Sequence, residues 1–222
     1  MAKDSKERLL EAGTKVFAKD GFEGASTRKI VKEAGVNISA IPYYFGSKDG
    51  LYEAVIRRII SMVFAEQGEK ASEISAALES GKISKERARG FLHDLLRGFA
   101  EFLLSDRASP QMAQIMVREQ MQPTVVFDII YKGAMEPVHQ TLTRLVAHLT
   151  DLPSDSQRAI LCTHTIIGQL TTFKTHKEMI LRRSGWKKYS DKEAETIIDA
   201  VLFNTDAIIA AHKKANKKES LL

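Results

Sequence analysis

Cysteine is all but missing: Cys162 stands alone in 222 residues. A single thiol excludes an internal disulfide and a cysteine-rich zinc site, and it fits a reducing, cytoplasmic setting. Long apolar runs are missing too. The stretch from Ala54 to Ala65 is interrupted by Arg57 and Arg58, and nothing reaches the roughly 18 uncharged residues that a membrane helix needs. No membrane partner is expected. The N-terminal string Met-Ala-Lys-Asp-Ser-Lys-Glu-Arg has no apolar segment of a signal peptide behind it. There is no Gly-rich phosphate loop, no nucleophile elbow and no pair of metal ligands at i, i+4. The histidines 139, 148, 164 and 176 lack the spacing of a zinc site. The chain therefore reads as a non-enzyme without metal or cofactor.

What the chain does carry is helical periodicity, almost from end to end. Hydrophobic residues make up 44% and charged residues 27%, an ordinary globular balance that argues against disorder. Leu9, Leu10, Ala12, Gly13, Val16 and Phe17 recur at i, i+3, i+4 and i+7 opposite Lys6, Glu7, Glu11, Lys15 and Lys19. Asp20-Gly21 ends this first helix. Ser26-Thr27 opens a short one that Gly35 stops, Ile38 to Phe45 forms a third, and Ser47 caps a fourth reaching toward Leu78. Further starts are signalled by Ser84, by Ser109-Pro110 and by Pro123 as a first-turn proline. Pro137 falls inside the pattern 124–149 and should kink or split it. Ser154 with Gln157 and Ser190 with Glu193 have capping-box spacing and open the last long helices, 155–181 and 191–213. No strand pattern is found. The expected fold is all-α, an N-terminal three-helix head and a C-terminal helical bundle, about nine helices in all.

Three short helices in about 45 residues, the last two joined by a glycine turn, match a helix-turn-helix. Ile30, Val31, Ala34, Val36, Ile41 and Phe45 are spaced to hold the two helices together. Thr27, Arg28, Asn37, Ser39, Tyr43, Tyr44 and Lys48 are polar groups near helix starts or on an outward face, where they can donate to phosphate oxygens. The net charge of +5 favours a polyanionic partner. Residues 1–60 contain eleven Lys and Arg against eight Asp and Glu, so the excess is concentrated in this segment. Geometry alone is also compatible with an all-α small-molecule-binding protein or enzyme without a DNA role.

The particular strings narrow this choice. Residues 5–60 resemble the DNA-binding domain of the TetR family of bacterial transcription regulators. The resemblance rests on Leu-Leu-Glu-Ala-Gly-Thr-Lys-Val-Phe-Ala-Lys-Asp-Gly-Phe-Glu-Gly-Ala-Ser-Thr-Arg-Lys-Ile (9–30) and on Ala-Gly-Val-Asn-Ile-Ser-Ala-Ile-Pro-Tyr-Tyr-Phe-Gly-Ser-Lys-Asp-Gly-Leu (34–51). It implies a DNA-binding domain at 1–64, with the helix-turn-helix at about 26–45, and an effector-binding and dimerisation domain at 65–222. By the same resemblance Thr27 and Arg28 start the positioning helix. Ile38 to Tyr44 form the recognition helix, with Ser39, Ala40 and Tyr43 facing bases, and Tyr44 and Lys48 reach phosphates. Pro42 departs from the family's usual tyrosine, which removes an N–H and a phosphate contact there. Asn37 replaces the usual serine and still serves as an N-cap.

The C-terminal region is similar to the CecR-like branch of that family, on the segments 117–124, His164-Thr-Ile-Ile-Gly-Gln169 and 180–186. The last two long helices carry wide apolar faces, which either complete one core or pair with their copies across a two-fold axis. The resemblance implies the pairing, with Ile167, Leu170, Ile197, Ile198, Val201, Leu202 and Ile208 at a four-helix dimer interface. His164 on an apolar helix is a hydrogen-bonded buried histidine or a polar group in an effector pocket. Arg118 and Gln120 either orient an effector or make structural pairs. Met112 and Met116 fill core or line a pocket for apolar compounds, and Gln169 is placed with them. The expected function is a cytoplasmic homodimeric repressor that leaves a palindromic double-stranded DNA operator when a small-molecule effector binds.

Overall fold

A computed structural model describes residues 4–64, 68–105 and 109–219. Helices of six to eight residues are not stable alone in water, so tertiary burial must hold the short ones. The first four are α1 (Ser5–Gly24), α2 (Thr27–Ala34), α3 (Ala40–Phe45) and α4 (Lys48–Phe64). Then follow α5 (Gly68–Glu79), α6 (Lys85–Leu104), α7 (Pro110–Met121), α8 (Phe127–Ile130) and, after a π-helical turn (Tyr131–Met135), α9 (Glu136–Thr150). The last three are α10 (Gln157–Thr175), α11 (Lys177–Ser184) and α12 (Asp191–Glu219). With α8 and α9 counted as one continuous helix, the described residues form eleven helices and no strand. The all-α expectation holds, with two more helices than the nine expected.

The departures have local causes. Pro137 does not split its helix. It lacks the N–H that would pair with the Gly133 carbonyl, and the π turn just before it absorbs the mismatch, with the Glu136 N–H donating to the Tyr131 carbonyl. Pro123 is not a first-turn proline, since α8 begins only at Phe127. Ser156 rather than Ser154 caps α10, its hydroxyl accepting from the Ala159 N–H at 3.3 Å. The expected helix 155–181 is two helices, because His176 (φ −110°, ψ 25°) leaves the helical ladder. Of the fourth helix expected to reach toward Leu78, α4 describes the part up to Phe64 and α5 the part from Gly68, and 65–67 lie outside the described residues. The capping box at Ser190 and Glu193 is present, with the Glu193 carboxylate accepting from the Ser190 N–H at 3.0 Å.

The chain forms two compact units, residues 1–66 with 108–136 and residues 67–107 with 137–222. The expected division after residue 64 falls beside 65–67, which lie outside the described residues. What differs is that α7, α8 and the π turn join the head. In the first unit Leu9, Phe17, Ile30, Ile41, Leu51 and Ile59 form one core with Ile115 of α7 and Ile130 of α8. Full burial of such a side chain stabilises by about 1.5–3 kcal/mol, which outweighs the weak intrinsic helicity of α2 and α3. The second unit packs Leu92 and Leu96 of α6, Leu145 and Val146 of α9, Ile166 and Leu170 of α10, and Ile197 and Val201 of α12 into its own core. On its outside Arg97 of α6 binds both carboxylate oxygens of Glu195 on α12 at 2.8 Å. Among the described residues no helix is long and apolar enough to cross a membrane.

Candidate nucleic-acid interface

Ser26 caps α2 by accepting the Lys29 N–H at 3.3 Å, which fixes Thr27 and Arg28 in its first turn. Ile30, Val31 and Ala34 bury the inner face of α2. After Gly35 the chain turns. Asn37 Oδ1 accepts from the Ser39 N–H at 3.0 Å and the Ser39 hydroxyl at 3.1 Å, an Asx turn that delays the start of α3 to Ala40. Ile41 is buried, anchoring α3, and Tyr44 and Phe45 pack against the core from its C-terminal end. Gly50 makes the next junction possible, because a Cβ there would stand 2.0 Å from the Phe45 carbonyl oxygen. Close approach of α3 to the first turn of α4 therefore requires glycine.

This scaffold presents Arg28, Asn37, Ser39 and Tyr43 to solvent, Tyr43 with 81% of its surface exposed. Thr27, Ala40 and Tyr44 are half-buried. Lys48 departs from its expected role. Its Nζ donates to the carbonyls of Phe22 at 3.0 Å and Ala25 at 3.3 Å and stands over the Phe22 ring. Its charge holds the turn between α1 and α2. Other cations of the head are also paired: Lys15 with Glu33, Lys29 with Asp20, Arg58 with Glu7, and Arg57 with Glu53. Arg8 donates to the Gly35 carbonyl at 2.6 Å. Among the described residues Arg28 and Lys32, both exposed on α2, make no ion pair. Lys32 did not stand out in the sequence, where it looks like any solvated lysine of an amphipathic helix.

Tyr52 of α4 is buried and donates from its hydroxyl to Glu119 Oε1 at 2.8 Å. Glu119, 1% exposed, also accepts from the Thr124 N–H at 3.0 Å and the Thr124 hydroxyl at 2.9 Å. Burial, then the hydrogen bond to this carboxylate, pushes the Tyr52 phenol far above its ordinary range. The neighbouring Arg118 donates to the Phe17 carbonyl at 3.2 Å, where the chain bends at Gly21 (φ +75°). A Cβ on Gly21 would meet the guanidinium at 2.8 Å. Arg118 is thus a cap on α1, a structural contact, which was the alternative to its orienting an effector. Met112 and Met116 pack on the first core, and Gln120 is exposed.

His164 and Gln169, expected in the same pocket, belong to the second unit. His164 is exposed rather than buried. Its Nδ1 faces the Ile160 carbonyl at 3.0 Å, and its ring lies 4.6 Å from that of His139. Burial, and secondarily His164, pushes the His139 pKa down. Gln169 Nε2 is buried and, among the described residues, has no hydrogen-bond partner. No group of three or more His, Cys, Asp or Glu among the described residues could hold a metal.

The expected dimer residues need a larger correction. Ile167, Leu170, Ile197, Ile198 and Val201 are buried in the chain's own second core, and Leu202 and Ile208 pack against it. The apolar faces of α10 and α12 face each other and α6 within one chain. Outside, α10 exposes Leu161, Thr165, Gly168 and Thr172, while α12 exposes Ala200, Phe203, Ala207 and Ala211. Leu161 is 64% and Phe203 74% exposed. Of these, the sequence pattern offers Leu161 as part of the apolar face of its helix, whereas Phe203 and the small residues around it lie off the stripe of Ile197, Ile198, Val201 and Leu202.

The comparisons with known proteins agree with this architecture. The family described as "Bacterial regulatory proteins, tetR family" matches residues 9–55. "HTH-type transcriptional dual regulator CecR, C-terminal domain" matches residues 88–212. The HTH-type transcriptional dual regulator CecR of Shigella flexneri is 31% identical over 205 residues, 92% of this chain and 91% of its own. AibR, solved in complex with isovaleryl coenzyme A and operator DNA, has a TM-score of 0.62 at 12% identity, covering 90% of this chain and 96% of that one. HlyIIR, a hemolysin II transcriptional regulator, has a TM-score of 0.55 at 21% identity, covering 88% and 96%. This chain belongs to the TetR family of bacterial regulatory proteins, a non-enzyme family, and its C-terminal domain is of the CecR type.

Proposed function

We propose that the protein acts in the cytoplasm as a homodimeric, ligand-responsive repressor. In this reading residues 1–64 bind one half of a two-fold symmetric operator, and residues 65–222 bind the effector and dimerise. The observation that carries it is the surface around α2 and α3. Among the described residues Arg28 makes no ion pair at the start of α2, Ser39 and Tyr43 project from the turn and helix that follow, and Ile41 pins α3 in place beneath them. Thr27, Asn37, Ala40 and Tyr44 border that surface, while Lys48 supports it from inside.

Two copies are needed because one six-residue helix reads only a few base pairs, and a dimer supplies both affinity and a palindrome. The exposed faces of α10 and α12, centred on Leu161 and Phe203, are the surface that this reading assigns to the partner copy. The buried Gln169 Nε2 in the second unit, without a partner among the described residues, supports a polar contact to an effector there. A solved relative in fold, AibR, holds both a coenzyme A ester and operator DNA. The effector must bind the DNA-competent and released states with different affinity, since equal affinity shifts nothing.

The chain order supports a route for the shift. Glu119, which holds Tyr52 of α4, lies on a segment bounded in sequence by α6 and α9 of the second unit. Displacing that segment pulls on the helix that follows the recognition helix. The test is binding of the purified protein to duplex fragments from beside its own gene, read by fluorescence anisotropy at several salt concentrations. The reading expects a two-fold symmetric footprint and steep loss of affinity with salt. Failure to bind any fragment removes it.

A further inference from the structure

The surface of α3 has a chemical pattern of its own. Between Glu33 and Lys48 the sequence contains no Asp, Glu, Lys or Arg. The guanidinium or ammonium that commonly pairs with guanine is therefore missing from the recognition segment itself. The one amide there, Asn37, has its Oδ1 engaged by the Ser39 N–H and hydroxyl. A bidentate pairing with adenine needs that oxygen as well as the amide nitrogen, so it is not available in this arrangement. Beside Asn37 and Ser39, α3 and its leading turn expose apolar surface: Ile38 at 48%, the ring of Pro42, and Tyr43, whose ring is braced edge-on against Tyr44 at 4.8 Å.

Exposed isoleucine, proline and tyrosine on a segment this short are costly to leave in water, and B-DNA offers one apolar group in its major groove, the C5-methyl of thymine. Resting on the operator-binding reading above, we propose that α3 recognises its half-site through thymine methyl groups, with Ile38, Pro42 and the Tyr43 ring as the specificity-determining surface. Pro42, which costs α3 an N–H, then serves as a rigid apolar contact. The Tyr43 and Ser39 hydroxyls add hydrogen bonds that tolerate more than one base. The half-site under α3 is accordingly rich in A·T pairs, and any guanine contact falls to Arg28 at its flank.

The experiment uses the full-length protein and a bound fragment reduced to a synthetic duplex. Thymines in each half-site are replaced one at a time by deoxyuridine, which removes only the methyl group. Replacement under α3 is expected to weaken binding about fourfold per methyl, the effect of one apolar carbon taken out of contact. The same replacement outside the half-sites leaves binding unchanged. In Ile38→Ala or Pro42→Ala, both surface changes whose folding is checked by thermal melting, the deoxyuridine effect disappears at the thymine that the lost side chain touched. A duplex with every half-site thymine replaced that binds like its parent overturns methyl reading while leaving operator binding intact. Absence of binding to any duplex overturns both.

Discussion

The Tyr52 hydroxyl and the Glu119 carboxylate meet at 2.8 Å, 67 residues apart in sequence and buried in the same core. The pair fastens α4 to α7. Tyr52→Phe removes the donor and leaves Glu119 with its Thr124 partners, so a loss of about 1.5–3 kcal/mol is expected in urea unfolding. Glu119→Ala leaves the Tyr52 hydroxyl and the Thr124 groups unsatisfied and is expected to cost more. The Tyr52 phenol is held above its ordinary pKa of about 10 in the folded state. The native state therefore keeps a proton that the unfolded chain releases, and the stability this gives is full below pH 10 and declines as pH rises above it. That alkaline decline is expected to be smaller in Tyr52→Phe. An unchanged pH profile would remove Tyr52 as its source.

Two glycine substitutions are expected to have opposite signs. Gly50→Ala puts a methyl 2.0 Å from the Phe45 carbonyl oxygen, so α3 or α4 must shift, at a cost of about 2–4 kcal/mol and with loss of DNA binding. Gly90 lies inside α6, and a Cβ there meets nothing within 4 Å. Gly90→Ala is expected to stabilise by about 0.5–1 kcal/mol through helix propensity. Thermal melts of the two variants check both.

Lys48 and Arg28 separate scaffold from interface. Lys48→Met loses the bonds to Phe22 and Ala25 and is expected to lower stability by about 1–3 kcal/mol. Its residual DNA binding should keep the parental salt slope. Arg28→Ala is expected to melt like the parent and to reduce that slope by about one. A reduced slope in Lys48→Met would return that lysine to the phosphates.

The dimer surface can be tested by charge. Phe203→Asp and Leu161→Asp place a carboxylate on exposed positions and are expected to give folded monomers that bind operator DNA poorly, as read by light scattering and anisotropy. Val201→Asp puts the same charge into the second core, where Val201 is 2% exposed, and is expected to unfold that unit at a cost of about 3–5 kcal/mol. A folded Phe203→Asp dimer would place the interface elsewhere.

Much of this was legible in the residues themselves. Periodicity and caps gave the helices, because an amphipathic stripe and a Ser or Gly at its end act within a few residues. Ser26, Ser84 and the Ser190–Glu193 box stand where they were expected. The head and its family were legible from strings such as Thr27 to Ile30 and Tyr44 to Lys48. The site was legible only in part. Exposure of Arg28, Ser39 and Tyr43 follows from their spacing, but the capture of Lys48 by two carbonyls and of Arg118 by α1 does not.

The sequence by itself determined the class of the molecule: all-helical, without cofactor motifs, headed by a helix-turn-helix. Local forces suffice for that, since propensity, capping and periodicity are written in neighbouring residues. Only the tertiary structure decided which partners the side chains take. It moved α7 and α8 into the head through Ile115, Glu119 and Ile130, and it turned the apolar faces of α10 and α12 inward instead of toward a second copy. A hydrophobic stripe states that a face must be buried, but the same burial free energy is gained against any apolar surface, so the partner is set by the packing of the whole chain.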